Sequence, residues 1–282
     1  MSAPTINPAH APAAPGGTHA AAPPLRLGFA RTLRHSLALA GRSITKFAKS
    51  PAQLTDVVLT PVISLLMFVY LFGGAIGGGD THAYVQLIAP GVMVMTVFQA
   101  SIGIGTSLNA DASTGMFDRF RSMPIARSSP LIGAVLADVV RYVVCLATLL
   151  AVALIMGYRI TTDPLSALAA FGLLIGFGLS FSWLSVYVGM LAKTPGSVYG
   201  LMTVLILPLT FASNVFVKPA TMSGWLRAWS DVNPVSLMAD TTRALLNGGD
   251  VAGPLLGSLG WMAGLIAVFF PLAMRAYRKN AG

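Results

Sequence analysis

The chain has 282 residues, of which 55% are hydrophobic and only 10% are charged, and its formal net charge is +9. Soluble domains carry about 25% charged residues, so this composition, with a mean hydropathy of +0.74, excludes an ordinary soluble globular protein. The single cysteine, Cys145, excludes an intrachain disulfide and a metal site of the CxxC type. The basic residues are spread along the chain, which argues against nucleic-acid binding.

The first 50 residues form two segments that precede the apolar part of the chain. Residues 1–25 are rich in Ala and Pro and lack aromatic residues, which predicts a disordered tail. Residues 26–50 contain Gly28–Lys49, where apolar residues such as Phe29 and Leu33 recur every three or four positions opposite a basic face. This pattern is typical of a helix in the membrane interface; a soluble helix that binds a target has the same periodicity.

Residues 51–282 contain six apolar runs. Most of them exceed the ~20 residues that a helix needs to cross a bilayer, and none alternates as the strands of a membrane barrel do. Backbone polar groups in lipid must be satisfied within the segment, so the runs predict helices. We therefore expect an all-α integral membrane protein with six transmembrane helices after an amino-terminal interfacial helix. The runs are Val57–Phe72, Leu87–Leu108, Leu131–Tyr158, Leu165–Leu191, Val198–Phe216 and Val251–Met274.

The distribution of Lys and Arg predicts the orientation. With the amino terminus inside the cell, thirteen basic residues lie in inner segments and four in outer segments, with Arg141 inside the third run left uncounted. Cytoplasmic loops carry the excess of Lys and Arg in membrane proteins. We therefore predict a multi-pass plasma-membrane protein with both termini, including the tail of residues 1–25, in the cytoplasm.

The inner connection between the second and third runs, residues 109–130, has an unusual composition. Gly115–Pro130 reads GMFDRFRSMPIARSSP, in which phenylalanines stand beside arginines. Exposed aromatic residues next to Arg are typical of hot spots in protein interfaces. A loop whose arginines only anchor the topology explains the same residues, so residue types alone leave both interpretations open.

Charged and small residues inside the runs indicate helix packing. Asp138 and Arg141 are three residues apart, lie on one helical face and can pair, which favours a structural role over an unpaired proton-carrying acid. The glycine pairs at 172/176 and 260/264 have the spacing of small residues at helix–helix contacts.

The outer segment of residues 218–249 combines aromatic residues with a helix signal. Trp225 and Trp229 fit an interfacial aromatic belt. Asn233 followed by Pro234 predicts the start of a short helix that extends to about Leu246, with Gly248 after its end. A re-entrant hairpin and an ordinary surface helix are both compatible with this pattern.

Three stretches together resemble a known family. Gln53–Ala75, Gly115–Pro130 and Asn233–Gly249 are similar to the membrane subunits of ABC-2 type exporters, and most similar to the DrrB-type daunorubicin-resistance permeases of actinobacteria. The resemblance extends from about Arg26 to Arg278, and its most specific part is the sequence FDRFR-x-x-P-I. The apolar runs by themselves are not specific to this family.

The resemblance implies roles for several segments. Gly28–Lys49 corresponds to the family's interfacial connecting helix and Lys218–Gly249 to its re-entrant segment. The loop between helices two and three carries a coupling helix that docks on a separate ATP-binding subunit. The residues that would make this contact are Phe117, Asp118, Arg119, Phe120 and Arg121.

Helices two and five line the dimer interface through which substrate passes in related exporters. On helix two, Gln99 lies near the middle of the span, where an unpartnered amide would be costly, so it should face protein or a cavity. Ser101 lies beside it, and Phe211 and Asn214 lie at the end of helix five. A cavity with aromatic walls and few hydrogen-bonding groups suits a planar amphipathic drug or a lipid, whereas ordinary helix packing explains most of these residues one by one.

The ATPase is expected in a separate chain. A P-loop requires Gly-Lys within GxxxxGK[ST], and this sequence has no Gly-Lys dipeptide. We expect no enzymatic activity, no metal and no bound cofactor in this chain, with ATP and Mg²⁺ held by a DrrA-like partner. The predicted function is the permease subunit of an ABC exporter that confers antibiotic resistance. Further expected partners are a second copy or a paralogous permease, membrane lipid and a hydrophobic small molecule. Export of a lipid or glycan precursor, or a stand-alone carrier or channel, are the alternatives.

Overall fold

The computed structural model describes residues 51–76, 81–114, 129–217 and 219–280, together with positions 41 and 45. These ranges contain nine α-helices and one short 3-10 turn, Pro219–Thr221, and no strand. The helices are α1 Pro51–Ile76, α2 Thr81–Ala100, α3 Ile102–Ser113, α4 Ser129–Ile155, α5 Pro164–Leu191, α6 Pro195–Phe211, α7 Gly224–Val232, α8 Pro234–Asn247 and α9 Ala252–Asn280.

The apolar runs are helical over most of their lengths, which confirms the all-α expectation. The second run is shared by α2 and α3, and the other five lie in α1, α4, α5, α6 and α9. Four stretches are long and apolar enough to cross a membrane: His82–Ser113, Leu131–Ile155, Pro164–Leu191 and Ala252–Tyr277. The apolar parts of α1 and α6, Val58–Gly74 and Pro195–Phe211, are shorter.

Three of the predicted runs differ from the observed helices by more than one residue. The third extends to Tyr158, whereas α4 ends at Ile155. The second is interrupted at Ser101, which lies between α2 and α3. The fifth ends at Phe211 instead of Phe216, because side chains take over the carbonyls that a helix leaves open at its end. The Asn233 amide donates to the carbonyl oxygens of Leu209 and Ala212 at 2.8 Å and 3.3 Å, and the chain leaves the helix at that point.

Helix α5 is the centre of the bundle and packs against α3, α8 and α9. Its buried aromatic residues Phe177 and Phe181 meet Phe98 of α2, with ring centroids 6.0 Å and 4.4 Å apart. The hydroxyl groups of Tyr142 and Ser182 lie 2.7 Å apart in the same region and share a hydrogen bond. A core with this many rings holds α2, α4 and α5 in one arrangement.

The predicted small-residue contacts are present at only one of the four glycines. A Cβ atom at Gly176 would lie 2.8 Å from the side chain of Met262, so α5 and α9 approach closely there. A Cβ atom at Gly172, Gly260 or Gly264 would meet nothing within 4 Å. These three positions are therefore open on the surface of the described chain.

Most of the amino-terminal and coupling segments lie outside the described residues. Of residues 1–50, only Gly41 and Thr45 are described, and both are helical. The proposed contact residues at positions 117–121 lie in the gap between 114 and 129. At the two ends of the predicted coupling segment of residues 109–130, α3 continues to Ser113 and α4 begins at Ser129.

Candidate functional site

A cavity of about 640 Å³ lies between α1, the α2–α3 pair, α4 and α6. One face of α2 and α3 forms a long wall of it, since Thr96, Gln99, Gly103 and Thr106 follow one another at intervals of three or four residues. Gln99 is exposed to this space. A volume of this size is within the range of sites for drug-sized molecules.

An ion pair forms part of the cavity wall. Arg141 Nη1 lies 3.2 Å from Asp138 Oδ1, which confirms the pairing predicted from their spacing. The Arg141 guanidinium also donates to the Ala100 carbonyl oxygen at 3.4 Å. A Cβ atom at Gly103 would collide with this guanidinium, so glycine makes room for it. Within the described ranges, Asp138 Oδ2 is buried and has no hydrogen-bond partner.

The structure separates the four predicted path residues. Gln99 lines the cavity. Ser101 is fully buried, and its hydroxyl donates to the Phe98 carbonyl oxygen at 2.6 Å. Phe211 is 61% exposed and stacks on Phe216. Asn214 is buried and belongs to a different polar group. In the described chain, only Gln99 of these four faces the cavity.

Asn214 belongs to what we call the Arg243 cluster: Asn214, Asp240 and Arg243. Arg243 makes five hydrogen bonds, to Asp240 Oδ1, to Asn214 Oδ1 and to the carbonyl oxygens of Leu87, Asn214 and Val215. The second carboxylate oxygen of Asp240 accepts from the Asn214 amide at 2.7 Å. The cluster therefore ties the chain after α6 to both α2 and α8.

Burial and pairing act in opposite directions on the Arg243 guanidinium. The pKa of Arg243 is lowered from its usual range because burial disfavours the charged form, and the nearby Asp240 carboxylate offsets part of that effect. A buried guanidinium is tolerated when all of its donors are satisfied, as they are here. The sequence analysis counted Arg243 only among the basic residues of the outer segments and missed this role. The three-residue spacing between Asp240 and Arg243 could have indicated an ion pair.

Helix α8 begins and ends as the sequence predicts, but it is deeply buried. The Asn233 side chain accepts from the Val235 backbone N–H at 2.9 Å, Pro234 is the first helical residue, and Gly248 has a φ of 84° just after the end. Its buried residues pack against α2, α5 and α9. These contacts argue against an ordinary surface helix. In the preceding α7, Trp225 and Trp229 are 75% and 45% exposed.

Helix α3, which leads toward the undescribed contact segment, is fastened to α5 by two polar side chains. Asn109 donates to the carbonyl oxygens of Gly189 and Ala192 at 2.9 Å and 2.7 Å. Ser185 accepts from the Gly105 backbone N–H and donates to the Ile102 carbonyl oxygen. Two such anchors, about one helical turn apart on α3, join α3 and α5 as one unit.

Comparison with known proteins identifies the family. The family model described as ABC-2 type transporter matches residues 34–247. The chain belongs to the ABC-2 type transporter family. As an ABC-2 protein of this kind, it is a multi-pass membrane permease of an ABC exporter.

Three relatives give the breadth of the similarity. The chain is 45% identical over 245 residues to the daunorubicin resistance ABC transporter permease protein DrrB1 of Streptomyces coeruleorubidus, with 85% of each chain covered. It is 23% identical over 266 residues to the probable doxorubicin resistance ABC transporter permease protein DrrC of Mycobacterium tuberculosis, covering 94% of this chain and 93% of the relative. It is 24% identical over 233 residues to the inner membrane transport permease YadH of Escherichia coli K12, covering 80% and 88%.

Proposed function

We propose that this permease dimerises, pairs with two separate ATP-binding subunits and exports a hydrophobic or amphipathic compound of the antibiotic type. It would do so with six membrane-crossing helices, in which α1 and α6 join the four longer spans, and with both termini in the cytoplasm. A re-entrant α7–α8 segment would cover the outer end of the path.

The cavity beside Gln99 is the observation that carries this proposal. It combines a drug-sized volume with walls from four parts of the membrane domain, and pockets of that kind hold small organic ligands. The printed names of two relatives, which refer to daunorubicin and doxorubicin resistance, support the same class of compound. An exported lipid or glycan precursor is the second candidate, because a cavity within the membrane domain also suits an amphipathic lipid.

Direct transport measurement tests the proposal. The permease, co-expressed with a DrrA-like ABC ATPase and reconstituted in proteoliposomes, should accumulate daunorubicin in an ATP-dependent way when ATP is supplied on the ATPase side. A pH gradient without nucleotide should drive no more uptake than protein-free liposomes show under the same gradient. Permease-dependent uptake on the gradient alone would contradict the proposal and support a secondary carrier, whereas ATP-driven movement of a fluorescent lipid but no drug would favour the second candidate.

The contact with the ATPase can be tested at Phe120. Loss of a hot-spot aromatic costs about 2 kcal/mol or more of association, so Phe120→Ala should reduce co-purification of the ATPase subunit while the permease still inserts into the membrane. Phe72→Ala is the matched control, because Phe72 lies in α1 and is 40% exposed. If the Phe120 variant gives the same complex yield and the same stimulated ATPase activity as the wild type, the loop serves only as a topology anchor.

A further inference from the structure

We propose that the cavity within one protomer is a ligand-binding chamber, and that its Asp138–Arg141 pair recognises an amphipathic compound through a protonated amine on that compound. This inference rests on the proposed export function and adds a site on helix α4 to it. It places recognition inside each chain, on an ion pair that is not among the predicted path residues Gln99, Ser101, Phe211 and Asn214.

The guanidinium of the pair is already engaged. Arg141 Nη1 contacts Asp138 Oδ1 at 3.2 Å and donates to the Ala100 carbonyl oxygen at 3.4 Å. An anion entering the cavity would have to compete with these acceptors for Arg141, whereas a protonated amine brings its own donors to the carboxylate.

Asp138 has an incomplete set of hydrogen bonds. Its Oδ1 is engaged by Arg141 at 3.2 Å, and its side chain is only 4% exposed. Its Oδ2 has no hydrogen-bond donor among the described residues. A buried acceptor without a donor is unfavourable. The terminal torsion of an aspartate is soft, so the carboxylate can turn Oδ2 toward the cavity and accept from an ammonium group there.

The rest of the wall suits the remainder of such a molecule. Thr96, Gln99 and Ser107 supply hydrogen-bonding groups along one side. Tyr199 of α6 and Met95 of α2 supply an aromatic ring and a polarizable thioether, which pack well against flat apolar groups. A compound with a planar apolar body and one amine matches both parts of this wall.

Binding of three matched fluorescent probes tests the chemistry. They share the dansyl group: dansylcadaverine carries a primary amine, its N-acetyl derivative is neutral, and dansyl-aminohexanoate carries a carboxylate. With the complete permease–ATPase complex in nanodiscs, we expect the amine to bind at least about tenfold more tightly than the other two. Equal affinity for all three probes, or tighter binding of the carboxylate, would overturn the proposal.

Variants locate the recognition site. Asp138→Asn should bring the affinities of the amine and its N-acetyl derivative within about twofold of each other, whereas Asp231→Asn, which removes an exposed carboxylate outside the cavity, should leave the preference intact. Ser107→Trp should fill the cavity and abolish binding of the amine without touching the ion pair. Leu256→Trp is the matched control, at a position that is 71% exposed and outside this cavity. This variant should bind the amine probe with the affinity of the wild type.

The outcomes distinguish this inference from the proposed function. If ATP-driven export of daunorubicin persists while Asp138→Asn keeps the amine preference, or Ser107→Trp still binds the amine probe, the chamber is not the recognition site and the export function stands. If no ATP-driven export occurs at all, the proposed function itself fails, whatever the probes bind.

Discussion

Arg243→Ala should destabilise the permease strongly, because one side chain holds three separate parts of the chain together. Arg243 joins α8 to the Leu87 carbonyl oxygen on α2 and to the segment at Asn214 and Val215 that follows α6. Alanine removes all of these contacts and leaves Asp240 without its counter-ion. No neighbouring side chain of the cluster can replace the five donors.

The size of the effect follows from the geometry. Arg243 makes five hydrogen bonds, and at about 0.6 kcal/mol each in a membrane protein they amount to roughly 3 kcal/mol. Breaking a buried ion pair costs about 3–5 kcal/mol. Asp240 is 39% exposed, so water compensates part of its loss and the lower end applies. We therefore expect a loss of about 3 kcal/mol in the free energy of unfolding.

Unfolding by SDS titration, followed by tryptophan fluorescence, measures this loss in the purified permease. Arg243→Lys should lie between the wild type and Arg243→Ala, because lysine keeps the charge but lacks the planar set of donors. Arg227→Ala is the control, since Arg227 is exposed on α7. If Arg243→Ala unfolds at the same SDS fraction as Arg227→Ala, the cluster does not hold the fold and our reasoning about it is wrong.

Three further predictions concern packing and the path. Gly105→Ala should destabilise the protein by about 1–3 kcal/mol, because a Cβ atom there would collide with the Ser185 backbone, whereas Gly172→Ala, with nothing within 4 Å, should not destabilise it in the same SDS titration. Asn109→Ala should lower drug-stimulated ATPase activity more than it lowers expression, because it removes one of the two polar anchors between α3 and α5; unchanged stimulation would show that this anchor does not transmit coupling. Gln99→Leu should change which drugs are exported, in a resistance panel, more than it changes protein level; an unchanged panel would place the path elsewhere.

The sequence by itself determined the features that depend on residues close together along the chain. The apolar runs predicted all-α structure, because a membrane-embedded backbone has to satisfy its hydrogen bonds within each segment. The start of α8 at Asn233 and the Asp138–Arg141 pair were predictable because a helix cap and a three-residue spacing are local. The family was also recognisable from short motifs in the sequence.

Only the tertiary structure decided which side chains share a site. The Arg243 cluster joins residues as far apart as Leu87 and Arg243, and no local periodicity connects such positions. Ser101 follows Gln99 by two residues, yet it turns into the core while Gln99 faces the cavity, because residues two apart lie on different sides of a helix and packing decides which side is inward. The walls of the cavity come from α1, α2–α3, α4 and α6, so its existence depends on how those helices pack.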